Sequence, residues 1–105
     1  MLTRTAIYEG TIQDGREDEF FRRVRDELMP IWRDFPGLLS MRVQRRVSAD
    51  TSARPIPMIL EMDFANQAAI DALSSSPVRE RSHAATLEVM KLFNGDFYHL
   101  VSEAL

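Results

Sequence analysis

The chain is predicted to fold as one α+β domain over residues 1–105, because the element order strand–helix–strand runs through it twice. An alternating run at 4–12 precedes an amphipathic helix that ends near Phe35, and a second strand follows at 38–46. A very apolar strand at 56–64 then precedes a helical region at 67–93, and a last strand closes the chain at 97–101. A domain of this length buries only about two thirds of its unfolded surface, so a stabilising partner surface is expected. The order of elements suggests a dimer with a pocket. No catalytic motif accompanies it.

The first strand sets Ala6, Tyr8, Gly10 and Ile12 on one face and Thr5, Ile7, Glu9 and Thr11 on the other. Asp14-Gly15-Arg16-Glu17 reads as a helix start, with Asp14 as the cap and Glu17 reaching back to it. Phe20, Val24, Leu28, Ile31 and Phe35 recur at spacings of 4, 4, 3 and 4, which places them on one helical face. Pro30 lacks the N–H that would bond to Asp26, so a kink or an end is expected there. Phe35-Pro36-Gly37 is the turn out of the helix.

The second strand divides into Leu39, Met41 and Val43 against Ser40, Arg42, Gln44 and Arg46. The third divides into Met58, Leu60, Met62 and Phe64 against Ile59, Glu61 and Asp63. Matching the apolar faces of a hairpin puts Val43 opposite Leu60, Met41 opposite Met62, and Arg42 opposite Glu61 as a cross-strand ion pair. Asn66 is a cap for a short helix carrying Ile70 and Leu73, and Ser76-Pro77 starts another. Val78, Ala85, Val89 and Leu92 form its inward stripe, and Asn94-Gly95 is read as its stop. The last strand is apolar on both faces, so alternation leaves its core side open.

Composition narrows the function classes. A net charge of −3 gives no electrostatic footprint for nucleic acid or a membrane surface. The absence of cysteine excludes disulfides, thiolate metal sites and a Cys nucleophile. Two histidines form no metal-ligand cluster at a recognisable spacing; Glu80-x-x-His83 is a weak pair at most. The four glycines are scattered at turns, so no phosphate loop is present, and no G-x-S-x-G element occurs. No apolar run approaches the roughly 20 residues of a membrane span, and the N-terminus lacks a signal-peptide core, so a cytoplasmic protein is expected. No metal or cofactor is expected.

Several local motifs carry a family resemblance: Leu28-Met29-Pro30, the turn Pro36-Gly37-Leu38, and Phe64-Ala65-Asn66 after the third strand. On these the whole chain resembles the dimeric α+β barrel superfamily, ferredoxin-like (βαββαβ) in topology. Its members include antibiotic-biosynthesis-type monooxygenases, stress-responsive barrel proteins and EthD-like proteins. Residues 75–101 read most like the EthD-like branch. The resemblance implies a four-stranded antiparallel sheet with helices on one face. It also implies a homodimer formed through the open sheet face. That face, with Ile7, Glu9, Arg42, Gln44, Ile59 and Glu61, is mixed in character, as a polar-laced interface would be.

The superfamily's pockets lie within each subunit, between sheet and helices. The candidates here are Tyr8, Trp32, His83, Tyr98 and His99, with Met41, Met62 and Met90 as lining. His83 and Tyr8 are the candidate catalytic pair; Trp32, Met62, Met90 and His99 are the candidate ligand contacts. A mostly apolar pocket with few polar groups suits a small lipophilic or aromatic ligand. Cofactor-independent oxygenation, isomerisation or cyclisation would need a group that deprotonates or orients the substrate, and a histidine or tyrosine can do so. Each residue also has a plainer reading: His83 on the helix flank, His99 in a dimer contact, Tyr8 and Trp32 as packing, the methionines as gap-fillers. The antibiotic-type and haem-degrading residue sets are not matched, since the lone Trp32 falls on the first helix. A non-catalytic ligand-binding or accessory role, and a purely structural dimer, remain as alternatives.

Overall fold

The computed structural model describes residues 1–105. In chain order the elements are β1 (Leu2–Ile12), α1 (Glu17–Arg23), a π-helical segment (Val24–Leu28), α2 (Met29–Arg33), β2 (Ser40–Arg45), β3 (Met58–Phe64), α3 (Gln67–Leu73), α4 (Pro77–Val89) and β4 (Phe93–Ser102). The four strands form one antiparallel sheet in the order β2-β3-β1-β4, with the helices on one side. This is the α+β, ferredoxin-like arrangement expected from the order of elements.

The hairpin register follows the face-matching argument. Val43 pairs with Leu60, Met41 with Met62 and Arg42 with Glu61. The core forms where the inner strand residues Ala6, Tyr8, Met58, Leu60, Met62 and Phe64 meet Phe20, Val24, Leu28, Trp32, Ile70, Leu73 and Val89 from the helices. Asn66 caps α3 by accepting from the Ala69 amide at 3.0 Å, and Ser76 caps α4 by accepting from the Arg79 amide at 3.3 Å. Pro77 occupies the first turn of α4, where its missing N–H costs nothing.

Four local expectations are corrected. Asp14 and Gly15 form a turn rather than a capping box, and α1 begins at Glu17 without a side-chain cap. Gly15 has φ 76°, which carries the chain past Asp14; Arg16 instead pairs with Glu19 at 2.8 Å. Trp32, not Ile31, is buried on the first helical face. A spacing of four drifts about 40° per turn off a 3.6-residue helix, and the wider π turn preceding Pro30 absorbs that drift. Phe20, Val24, Leu28 and Trp32 therefore point inward at a constant spacing of four.

The third correction concerns Asn94-Gly95, which lies inside β4 rather than ending α4. Gly10 faces Gly95 across the β1–β4 ladder. A Cβ on Gly95 would sit 2.2 Å from the Glu9 carbonyl oxygen, and one on Gly10 would sit 2.2 Å from that of Asn94. Two glycines let the strands close there, so β4 begins at Phe93 and pairs with β1 over nearly its whole length. The register assigns Phe93, Phe97 and His99 to the helix side, opposite Ile12, Tyr8 and Ala6.

The fourth correction widens the inner stripe of α4, on which Val78, Ala85, Val89 and Leu92 all reach the core as expected. Ser82, Thr86 and Val89 are buried, whereas Val78 and Ala85 are only half-buried. A helix that turns a serine and a threonine toward its own sheet leaves polar groups where packing alone would favour apolar ones. Those groups border a cavity.

Candidate ligand and active site

Between the β1–β4 half of the sheet and α4 lies a cavity of about 40 Å³. Strand β1 contributes Arg4, Ala6 and Tyr8; α4 contributes Arg79, Ser82, His83 and Thr86; β4 contributes Phe97 and His99. Trp32, Phe35 and Leu60 complete the wall. Period-two alternation explains the first group, since residues 4, 6 and 8 share a strand face. Helical periodicity explains the second, because positions 79, 82, 83 and 86 follow the i, i+3, i+4, i+7 pattern of one helix face.

Four of the six expected site residues meet here: Tyr8, Trp32, His83 and His99. Two do not. Met62 is fully enclosed in the core, on β3, and Met90 is half-buried where α4 tightens into a 3₁₀ turn that takes it off the stripe. Neither lines the cavity, and neither does Met41. Tyr98 points to the open side of the sheet, where its hydroxyl donates to Glu9 at 3.0 Å.

Phe97 is the residue that joins the others. Its ring stacks on Tyr8 with centroids 5.4 Å apart and meets His99 edge-on at 5.9 Å. The His83 ring lies 6.5 Å away, tilted over the same phenyl group. Trp32 is anchored by a hydrogen bond from its indole N–H to the Ser82 hydroxyl oxygen at 3.0 Å. Its polar group is thus satisfied by the protein, and its ring serves as wall.

Tyr8 differs from Trp32. It is 3% exposed, and its hydroxyl has no protein partner, yet no enclosed side-chain N or O atom lacks one. The hydroxyl therefore opens onto the cavity. Burial raises the Tyr8 pKa well above its ordinary value, with Arg4 opposing in part. At neutral pH Tyr8 is a phenol, a donor and not a base. His99 is pushed down to about 4, by desolvation first and then by Arg4 and Arg79. Its imidazole is neutral at pH 7, although more than a third of the residue remains open. Arg4 is lowered to about 10 by burial and by Arg79.

Sequence reasoning missed Arg4, Arg79, Ser82, Thr86 and Phe97. The signal for α4 was present as a polar stripe at helical spacing; the signal for Arg4 was its alternation with Ala6 and Tyr8.

On the other side of the sheet, Asp63 is 4% exposed and fully partnered. It accepts from Thr3 at 2.7 Å, Ser40 at 2.5 Å and Arg42 at 2.9 Å. These bonds hold its carboxyl well below the usual carboxylate range. Arg42 lies farther from Glu61, at 3.6 Å, so the predicted cross-strand pair exists as the lesser arm of this cluster.

Comparison with solved structures places this architecture among small ferredoxin-like proteins. An EthD family protein (ethyl tert-butyl ether D) from Bacillus halodurans C-125 superposes with a TM-score of 0.76 at 20% identity, over 100% of this chain and 99% of that one. An antibiotic biosynthesis monooxygenase gives a TM-score of 0.65 at 17% identity, over 100% and 99%. A dimeric ferredoxin-like protein of unknown function from Jannaschia sp. CCS1 gives 0.64 at 20% identity, over 98% of each chain. No family model matches the chain, and no curated protein matches it significantly. The chain shares the fold of the EthD and monooxygenase-like barrels; identities at this level speak to fold alone. No helix is long and apolar enough to cross a membrane.

Proposed function

We propose that this protein is a small cofactor-independent enzyme that initiates conversion of an aromatic or lipophilic compound by proton transfer. The observation that carries this reading is the unpartnered Tyr8 hydroxyl, opening onto a cavity that His83 and His99 also reach. In the proposed step a substrate C–H bond breaks, its electron pair moves onto an adjacent carbonyl oxygen, and the proton passes to the His83 imidazole. Tyr8 donates a hydrogen bond to the developing enolate oxygen, and Phe97 and Trp32 hold the ring. The enolate can then isomerise, cyclise or meet dioxygen.

An enolisable aryl ketone such as acetophenone, incubated with the protein in D₂O, tests this by NMR. Accelerated loss of the α-proton signal is expected, with Tyr8→Phe and His83→Ala each about 10-fold slower or worse. Exchange no faster than in buffer, with the ketone still bound, would favour a ligand-binding or accessory protein instead.

We further infer that the open sheet face pairs with a second copy. Support comes from Tyr98 and Leu100, 42% and 52% exposed there, from half-buried Ile7 and Ile59 beside them, and from the dimeric state of the Jannaschia protein. Light scattering that returns a monomer mass at micromolar concentration would refute this.

A further inference from the structure

The cavity holds two positive side chains and no negative one. None of its lining residues is Asp or Glu, although the whole chain carries more acidic than basic residues. Arg16, Arg23, Arg45 and Arg54 each hold a carboxylate at the surface, and Arg42 holds the buried Asp63. Arg4 and Arg79 belong to none of the molecule's ion pairs. Arg4 is only 9% exposed, and Arg79 is half-buried. The acidic residues of the sheet, Glu9, Glu61, Asp63 and Asp96, sit on its opposite side, and the first three are engaged there.

An almost buried guanidinium without a counter-charge is costly to a fold. Chains keep such groups where an incoming charge completes them. We propose that Arg4 and Arg79 form the recognition site for the carboxylate of a small aromatic acid, whose ring lies against Phe97.

The small volume of the cavity favours a flat carboxylate over a bulkier tetrahedral anion. A planar guanidinium fork matches a carboxylate with two parallel hydrogen bonds. The Tyr8 hydroxyl and the neutral His99 ring add donors or acceptors beside it. A cavity of about 40 Å³ accommodates the head group, while the rim of Arg79, His83 and Phe97 leads outward for the ring. The two cations add to the effect of burial here: Arg79 depresses Arg4, and both depress His99. A bound carboxylate relieves that repulsion.

This inference deepens the proton-transfer reading and rests on the same cavity, but its test does not depend on turnover. Benzoate and the neutral isostere benzamide are titrated into the full chain at low ionic strength, with fluorescence of the lone Trp32 and calorimetry as readouts. Benzoate is expected to bind about 10-fold or more tightly than benzamide, and Arg79→Gln should cut that ratio by about 3-fold or more, with Arg4 holding the remainder. Arg79→Lys should restore part of it. Arg79 is half-buried at the rim, so this variant is expected to fold, and circular dichroism verifies that. Equal affinity for benzoate and benzamide overturns the carboxylate site while leaving the enzyme reading standing. Binding of neither at millimolar concentration overturns the carboxylate site too, and the exchange assay then judges the enzyme reading by itself.

Discussion

Two charged residues sit almost back to back in this sheet and have opposite surroundings. Asp63 pairs across the ladder with Thr3, and Arg4 is the next residue along β1, turned to the other face. Asp63 is enclosed by three donors, one of them a guanidinium. Arg4 is enclosed by aromatic rings and a second cation, and nothing neutralises it. A buried charge that is fully paired locks β1, β2 and β3 together. A buried charge left open weakens the fold unless a ligand completes it, the role proposed for Arg4.

The largest effect expected from this contrast is on Asp63. Replacing it by Ala strands Arg42, Ser40 and Thr3, and should cost about 2 to 3 kcal/mol in urea unfolding. A loss below about 0.5 kcal/mol would mean the cluster is ornamental. The acid limb follows from the same group. The folded-state pKa of Asp63 is depressed, so its contribution is complete above the unfolded value of about 4 and fades as pH falls below it. Urea midpoints between pH 7 and pH 2.5 should drop steeply, and Asp63→Asn should flatten that fall.

Arg4 should behave in the opposite sense. Arg4→Met replaces an unpaired buried cation with a chain of similar length, and should raise stability by about 1 kcal/mol in the absence of ligand. A loss of similar size would show that Arg4 has a structural partner, and the contrast with Asp63 would collapse. An effect of similar size and opposite sign is expected at Ser82. Its change to Ala removes the acceptor for the Trp32 indole and should cost about 1 kcal/mol with a shift in the Trp32 emission. On the open face, Leu100→Lys should leave monomer stability within about 0.5 kcal/mol of the parent and shift sedimentation toward the monomer.

Much of the scaffold was legible because its signals are local. Alternation set the strand faces, and face matching set the register of Met41, Val43 and Arg42 on β3. Asn66 and Ser76 cap as their chemistry demands. The misreadings have a different origin. Burial of Trp32 in place of Ile31 depends on a π turn, and inclusion of Gly95 in β4 depends on Gly10 across the ladder, a partner 85 residues away in sequence. The site was half legible. Tyr8, Trp32, His83 and His99 stand out by chemical type, and all four line the cavity. Arg4 at the start of a strand and Ser82 and Thr86 within a polar helix look like solvated residues, and only packing shows that they face inward.

If the uncompensated cations of the cavity hold a ligand, crystals grown with benzoate will show it in place. A carboxylate within about 3 Å of the Arg4 guanidinium is expected, with the ring against Phe97. A cavity that holds only water, or a ring seated with its carboxylate turned away from Arg4 and Arg79, would contradict it.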